Sequence, residues 1–540
     1  MSKGASYSGT IRNLCSQGSN MADHKPPNFL IFLTDQQRVD ALGCAGNPHI
    51  RTPALDRMAG DGAYFPLAHT NNPICIPARA TLISGAWGVQ TGILSNQGLP
   101  TGCVPTPFVT LPEILSRAGY FCQAIGKMHY VPPRNHYGFG RMQLMEEGPN
   151  WRHDDEYLMY LEKVGYGHVR EVHGVRRELY MQPQVSLLPA EHHGTNWVAD
   201  RTIDFLRANA NRPFMALCGW IAPHPPWNIP ESLAHEYDPD SLPLPKRRDE
   251  ELTGQNEFVK RQENAMELDG ASDRKLCLIK VLYYTAVTMI DSAVGRILAC
   301  LDELGLADNT MVIFTSDHGE MLGDHWSWQK KLFYQASAGI PLIVRYPRGI
   351  KAGTVCSELV NTTDILPTVL DAAGLDYPGQ VELPGQSLIE LIDGRISGRD
   401  VLFGETKHGG DSLMFMARTK RHKYVYTVRG GHEELYDLQE DPDEFCNLAP
   451  RPDARDIRNE LRSGLTGWLK HYRFDQALDG SDLKATPAHP PLVDRPNRQD
   501  ARWPANLDPS RADEVQSAEA SLEAVSDRTY EVLGVRPLDP

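Results

Sequence analysis

The run NFLIFLT, Asn28 to Thr34, is apolar without a break from Phe29 to Leu33 and stops at the acid of DQQR, Asp35. A strand with one wet face would show a polar residue at every second position. An unbroken run belongs to a strand buried on both faces, inside a largely parallel sheet covered by helical crossovers. The remaining sequence supplies such crossovers. RTPALDRMAGDG offers Thr52 as N-cap, Pro53 at the first helical position and a closing glycine. TLPEILSRAG, Thr110 to Gly119, repeats that grammar and feeds the strand-like YFCQAIG, and NWVADRTIDFLRANANRPFMALCGWIAPHPPW again reads helix, loop, strand, loop. Lys275 to Gly305 reads as one long amphipathic helix before the strand of TMVIFTSDHGE, and GIPLIVRYP and TTDILPTVLDAAG add another strand and helix. The expected class is α/β, a sandwich around a large mixed, mostly parallel sheet.

Texture changes after Arg399, where MFMARTKRHKYVYTV and HEELYDLQEDPDE predict a small antiparallel sheet. From about Asp475 the chain is rich in Pro, Asp, Arg and Asn. The expected layout is an unstructured opening at 1–26, a main domain at 27–399, a small C-terminal α+β subdomain at 400–474 and an extended tail at 475–540 with at most a short terminal helix. A homo-oligomer in which this tail packs on a neighbouring subunit is a further expectation.

The formal net charge of -15 argues against a broad nucleic-acid surface, so any anionic substrate must be met by a local cluster of cations. Ten cysteines occur without a CxxC pair or regular spacing, which fits neither a zinc ribbon nor a disulfide framework and favours a reducing compartment. The opening lacks the apolar core of a secretory signal, with Met21 as an alternative start, and no stretch matches the roughly 18 consecutive apolar residues of a bilayer span. The expected location is cytoplasmic, with no membrane partner.

Polar residues cluster just past the carboxyl ends of the strands, the edge where α/β folds gather ligands. Asp35 and Asp317 each close a strand and each has a second donor beside it, Gln36 and His318. If the two strand ends meet, two carboxylates, an amide oxygen and an imidazole surround one cation, an oxygen-rich set suited to a hard divalent ion. The bland alternative is that both acids cap helices. Arg79, Lys127, His129, His224 and one of Lys330 or Lys331 lie in loops after strands or near a helix start, and together would form a pocket for a tetrahedral oxyanion. Taken singly, the lysine pair could be a solvated face and the histidine of PHPP a surface loop residue.

These residues resemble the sulfatase family of the alkaline-phosphatase-like superfamily. The likeness rests on Cys75, Pro77 and Arg79 in C-x-P-x-R with Gly85 downstream, on GKMH at Gly126 to His129, on SDHGEMLGDH at Ser316 to His325, and on ELYDLQEDPDEFCNLA near the C-terminus. It implies that Cys75 is converted by a formylglycine-generating enzyme to formylglycine, whose hydrated aldehyde is the nucleophile. It assigns Asp35, Gln36, Asp317, His318 and residue 75 to one divalent metal, with calcium the expected ion and manganese or magnesium the alternatives. Arg79 and Lys127 would stabilise the ionised hydrate, His129 would act as base, His224 and Lys330 (preferred over Lys331) would hold the sulfate, and Asp317 could protonate the leaving group. Asn96 resembles a substrate-contacting asparagine.

The resemblance implies hydrolysis of a small-molecule or sugar sulfate monoester. Gln36 and His318, where many family members carry Asp and Asn, also occur in choline-sulfatase-like members and in phosphonate monoester hydrolases. A phosphonate monoester or phosphodiester hydrolase is therefore the alternative, and a silent binding protein a third reading. Retention of Lys127 and His129 favours sulfate. Trp227, Tyr130 and His408 are candidates for a specificity pocket.

Overall fold

The computed structural model describes residues 25–96, 104–149, 151–176, 179–251, 268, 270–408, 412–488 and 512–537. The opening expected to lack structure falls outside them as far as residue 24. Asn28–Asp35 lies inside an eight-stranded sheet, ordered Thr354–Val355, Ala63–Tyr64, Leu342–Arg345, Thr310–Ser316, Asn28–Asp35, Phe214–Pro223, Phe121–Gly126, Arg141–Leu144. Its partners on both sides run parallel to it, and only Leu342–Arg345 is antiparallel to its neighbours. The mixed, mostly parallel sheet is as expected.

Alternation along the central strand explains the two covering layers. Phe29, Ile31 and Leu33 point into a core shared with Leu82, Leu111, Ile365 and Leu366, whereas Leu30 and Phe32 face Trp197, Phe205, Ile290 and Val294. Each such side chain contributes about 1.5–3 kcal/mol on burial, so the strand is fixed from both sides. Helices Leu111–Arg117 and Ile365–Ala373 cover the first face; Gly194–Asn209 and the 31-residue Asp273–Glu303 cover the second. Asp273–Glu303 has the length and hydropathy of a bilayer span, yet its apolar window is buried inside the protein.

The helix starts fall where the capping signals put them, but the caps themselves come from elsewhere. Thr52 Oγ1 accepts from Gly43 N at 2.8 Å, and Asp291 of the long helix receives the free N–H groups of Ala54 and Leu55 at 3.2 and 2.8 Å. Thr110 spends its hydroxyl on the Tyr137 carbonyl at 2.6 Å. A hydroxyl that can reach a tertiary partner is free to leave its own helix.

Beyond residue 400, strands Leu402–His408, Ser412–Arg418, His422–Thr427 and His432–Asp437 form an antiparallel meander backed by helix Arg455–His471. The tail departs from expectation. It contains a short hairpin at 478–483 and a 22-residue helix, Ala512–Leu533, rather than extended chain with at most a short helix. Val525 packs with Val175 and Leu179, and Thr529 Oγ1 accepts from Val185 N at 3.0 Å, so this helix is held by its own chain. Leu522, Val532 and Leu533 extend the same face at helical spacing, a pattern that the charge- and proline-rich residues before it obscure.

Two glycines set the edge where ligands gather. Gly126 has φ of 86°, and a Cβ on either Gly126 or Gly219 would lie 2.0 Å from a backbone oxygen, Gly219 O and Lys127 O respectively. This close crossing aims the Lys127 carbonyl at Arg79 Nη1, 2.7 Å away. Gly219→Ala is therefore expected to lower unfolding free energy by about 1–3 kcal/mol in urea titration; an unchanged midpoint would show that the crossing is slack.

Candidate active site

Cys75 opens a ten-residue helix, Cys75–Ser84, every residue of which is buried. Ile74 is extended, so the helix begins abruptly at Cys75, and its early N–H groups lack intrahelical partners. Pro77 has no N–H to leave orphaned, and Asn96 Oδ1 accepts from Ile76 N at 3.0 Å. The Asn96 side-chain oxygen thus braces the helix start. Gly85 ends the helix at φ 68°, pressed against Leu366.

The parallel register brings the two acids together. Thr34 pairs with Ser316, so Asp35 and Asp317 leave neighbouring strands side by side. Ligand atoms of Asp35, Cys75, Asp317 and His318 all lie within 4.8 Å of one another, and all four residues are buried. Cys75 Sγ is 3.2 Å from His318 Nε2 and 3.7 Å from Asp35 Oδ1, while His318 Nε2 is 3.6 Å from Asp35 Oδ1 and 3.5 Å from Asp317 Oδ1. His318 Nδ1 faces the Gly319 carbonyl at 3.0 Å; donation there leaves the Nε2 lone pair turned to the cluster.

Positive side chains surround this group. Arg79 Nε donates to Asp317 Oδ2 at 2.8 Å and Nη2 reaches Asp35 Oδ2 at 3.5 Å. Lys127 Nζ contacts the carboxylates of Asp35 and Glu147. Lys330 Nζ donates to Gln36 Oε1, whose amide nitrogen in turn meets Glu320. Of the adjacent lysines, Lys330 is the one buried in the cluster; Lys331 is only half-buried. His224 Nε2 lies 4.0 Å from Glu147, and His129 Nδ1 is screened from solvent with no hydrogen-bond partner.

Electrostatics follow from this crowding. Burial and Cys75 push the Asp35 carboxyl up, yet the charges of Lys127 and Lys330 outweigh them and hold it below the usual carboxylate range. Burial likewise opposes ionisation of Cys75, but Lys330, His318 and Lys127 draw its thiol well below the ordinary value, so position 75 favours a negative atom. Burial and then Lys330 lower His224 to about 3; it rests neutral, with Nδ1 directed to the Pro225 carbonyl at 2.6 Å. Burial works against a proton on His318, and Asp317 and Cys75 prevail to raise it. The field that favours a proton there favours a cation equally.

Two buried carboxylates and an imidazole with a free lone pair fit a hard divalent ion, and Cys75 Sγ stands where a donor oxygen on a modified residue 75 would be. Gln36, expected among the ligands, is clamped between Lys330 and Glu320. Asp317 Oδ2 accepts from Arg79 and Oδ1 from the N–H groups of Gln36 and His318, which suits a ligand and leaves it poorly placed to deliver a proton to a leaving group.

Sequence reasoning missed the second rank of acids. Glu146 accepts from Met128 N and His129 N at 2.9 Å each, fixing the loop that carries Lys127 and His129. Glu147 pairs with Lys127 and, at 2.7 Å, with Arg176. Glu320 accepts from Leu322 N at 2.9 Å as well as meeting Gln36. The signal for Glu146 and Glu147 was available, since both follow the strand Arg141–Leu144 at the same sheet edge. The loop aromatics proposed for specificity, Tyr130 and Trp227, are buried, the former edge-on to Tyr137 and the latter against Trp328.

Comparison with known proteins agrees with this geometry. The Sulfatase family matches residues 27–375, and the family described as N-sulphoglucosamine sulphohydrolase, C-terminal, matches residues 323–471. An arylsulfatase of Clostridium perfringens is 34% identical over 85% of this chain and 97% of its own length, and an ulvan-active sulfatase of Formosa agariphila is 29% identical over 81% and 80%. Among solved structures, the phosphonate monoester hydrolase of Agrobacterium radiobacter superposes with a TM-score of 0.72 at 26% identity, covering 84% of this chain and 97% of that one. With its strand-end acids, its C-x-P-x-R helix and a family match spanning most of its length, the chain belongs to the sulfatase family of the alkaline-phosphatase-like superfamily, hydrolases of sulfate esters.

Proposed function

We propose that the chain cleaves a sulfate monoester using residue 75, converted from cysteine to formylglycine, beside one divalent metal held by Asp35, Asp317 and His318, with calcium the expected ion. The observation that carries this reading is the convergence of Cys75, Asp35, Asp317 and His318 within 4.8 Å at the buried start of a helix. When present, the metal and the hydrated aldehyde supply a polarised sulfate oxygen and an oxygen nucleophile at a carbon that can later release sulfate.

The chain's own residues do the rest. Arg79 and Lys127 offset negative charge at residue 75, each anchored by an acid so that neither must reorganise as charge develops. His129, held through its backbone N–H by Glu146 in the loop that carries Lys127, takes the proton from residue 75. Lys330 and His224 hold the sulfate oxygens. Because His224 rests neutral with Nδ1 turned to Pro225, it donates from Nε2 only after taking up a proton, which an arriving anion favours. The near-complete burial of Lys127, His224 and Lys330 excludes water and strengthens each of these contacts.

The conversion of Cys75 calls for a formylglycine-generating enzyme in the same compartment. We further propose a cytoplasmic location, supported by the free state of every cysteine among the described residues, and a small-molecule or sugar sulfate as substrate. The second reading, a phosphonate monoester hydrolase, is favoured by the Agrobacterium radiobacter likeness and by Gln36 and His318. Lys127 and His129 beside residue 75 favour sulfate.

Protein from its native host is expected to carry an aldehyde at position 75, detectable by hydrazide capture and peptide mass, and Cys75→Ala is expected to lower kcat by roughly three orders of magnitude or more; full activity in that variant would remove the nucleophile from this account. Chelation should abolish turnover and lower Tm, because the buried Asp35 and Asp317 lose a cation and keep Arg79, Lys127 and Lys330 as neighbours of opposite charge. Add-back of calcium, manganese and magnesium, read as recovered rate, identifies the ion. Aldehyde-bearing enzyme should prefer 4-nitrophenyl sulfate to 4-nitrophenyl phenylphosphonate by about tenfold or more in kcat/KM, and the opposite order would put the phosphonate reading first.

A further inference from the structure

Arg176 stands one carboxylate away from the sulfate pocket. Its Nη1 donates to Glu147 Oε2 at 2.7 Å, and Glu147 Oε1 contacts Lys127 and lies 4.0 Å from His224 Nε2. The other two guanidinium nitrogens behave differently. Arg176 Nε and Nη2 are screened from solvent and have no hydrogen-bond partner. Arg152, Arg201, Arg418 and Arg458 each leave one such donor empty, but among the described residues only Arg176 leaves both Nε and Nη2, and such a pair points to a group that the chain itself does not supply. Nε–H and Nη2–H point in parallel from one edge of the guanidinium, the edge that grips a two-oxygen anion side-on.

The surroundings hold that edge in place. The guanidinium lies over the Tyr180 ring, 5.8 Å from its centroid, and Tyr180 in turn lies 6.1 Å from the His224 ring. Val175 and Leu179, which flank Arg176, are clamped by Val525 of the terminal helix. Gln184 Oε1 fixes Val175 N at 2.8 Å. A side chain needed only to pair with Glu147 would require neither the stacked ring nor two further donors withheld from water.

We propose that Arg176 binds a second two-oxygen anion on the alcohol portion of the substrate, a carboxylate or a second sulfate group, and so selects esters whose leaving group is itself negatively charged. This rests on the reading of Lys127, His224 and Lys330 as the sulfate pocket. Glu147 separates the two subsites: shared by Lys127 and Arg176, it keeps either cation from capturing the other's anion. A neutral aryl sulfate fills the first subsite and leaves the second empty.

The test uses the full-length protein and sulfonates that cannot be hydrolysed. Binding of benzenesulfonate, sulfobenzoate, its neutral counterpart sulfobenzamide, and benzenedisulfonate, in meta and para isomers, is measured calorimetrically on the wild type, Arg176→Gln and Arg176→Lys. At least one dianion is expected to bind about tenfold or more tighter than benzenesulfonate, sulfobenzamide should show no gain, and Arg176→Gln should erase the gap. Arg176→Lys, which keeps the charge and loses the two-donor edge, should retain only part of it, so the test survives if the glutamine variant fails to fold. The sulfobenzoate and benzenedisulfonate arms tell carboxylate from sulfate. No gain from a second anion, or a gain that persists in Arg176→Gln, overturns the proposal. Absence of sulfate release from 4-nitrophenyl sulfate would instead overturn the mechanism under Proposed function, since that ester does not engage Arg176.

Discussion

Two carboxylates, Asp35 and Asp317, are held side by side in the interior, both with fully buried side chains. Like charges in a low-dielectric setting repel strongly, and each demands compensation. The fold can keep them adjacent only because cations come to them: Arg79 bridges both and Lys127 binds Asp35. The parallel register of their strands, the helix that carries Cys75 and Arg79, and the close glycine crossing behind Lys127 all serve this one neutralisation.

Around this centre the acids and bases alternate outward. Each cation of the cluster is itself anchored: Arg79 by Asp317, Lys127 by Asp35 and Glu147, Lys330 through Gln36 to Glu320. Such pairing holds long flexible side chains in one place before any anion arrives, which is what preorganisation means physically. The C-terminal meander takes part. Glu405 N donates to Asn71 O at 2.8 Å, and its carboxylate receives Gly88 N and Val89 N, tying that sheet to both flanks of the Cys75 helix. Burial pushes Glu405 up to about 8 against these donors.

Much of this was legible before any coordinates. The unbroken apolar strand gave the parallel sheet, and acids or cations just past strand ends marked Asp35, Lys127, His224 and Asp317. C-x-P-x-R and SDHGE supplied Cys75, Arg79 and His318 by resemblance. Glu146, Glu147 and Arg176 were missed because acids and arginines are common in loops, and their importance comes from partners far away in sequence. The terminal helix was missed because the charge- and proline-rich residues before it dominate the composition from 475 on and obscure the helical spacing of Leu522, Val525, Val532 and Leu533.

What the sequence determined by itself was the chemistry on hand: which strands must be buried on both faces, which helix starts with a cysteine, and which ionisable groups end up near a sheet edge. Those follow from local rules, since side-chain alternation and the missing N–H of proline act within a few residues. Only the tertiary structure buried Lys330 rather than Lys331, turned Asn96 onto the helix start, drew Glu147 between Lys127 and Arg176, and left two donors of Arg176 without a partner. These depend on distances across the fold, and electrostatic energy in a dry interior changes steeply over a few ångströms that no sequence spacing records.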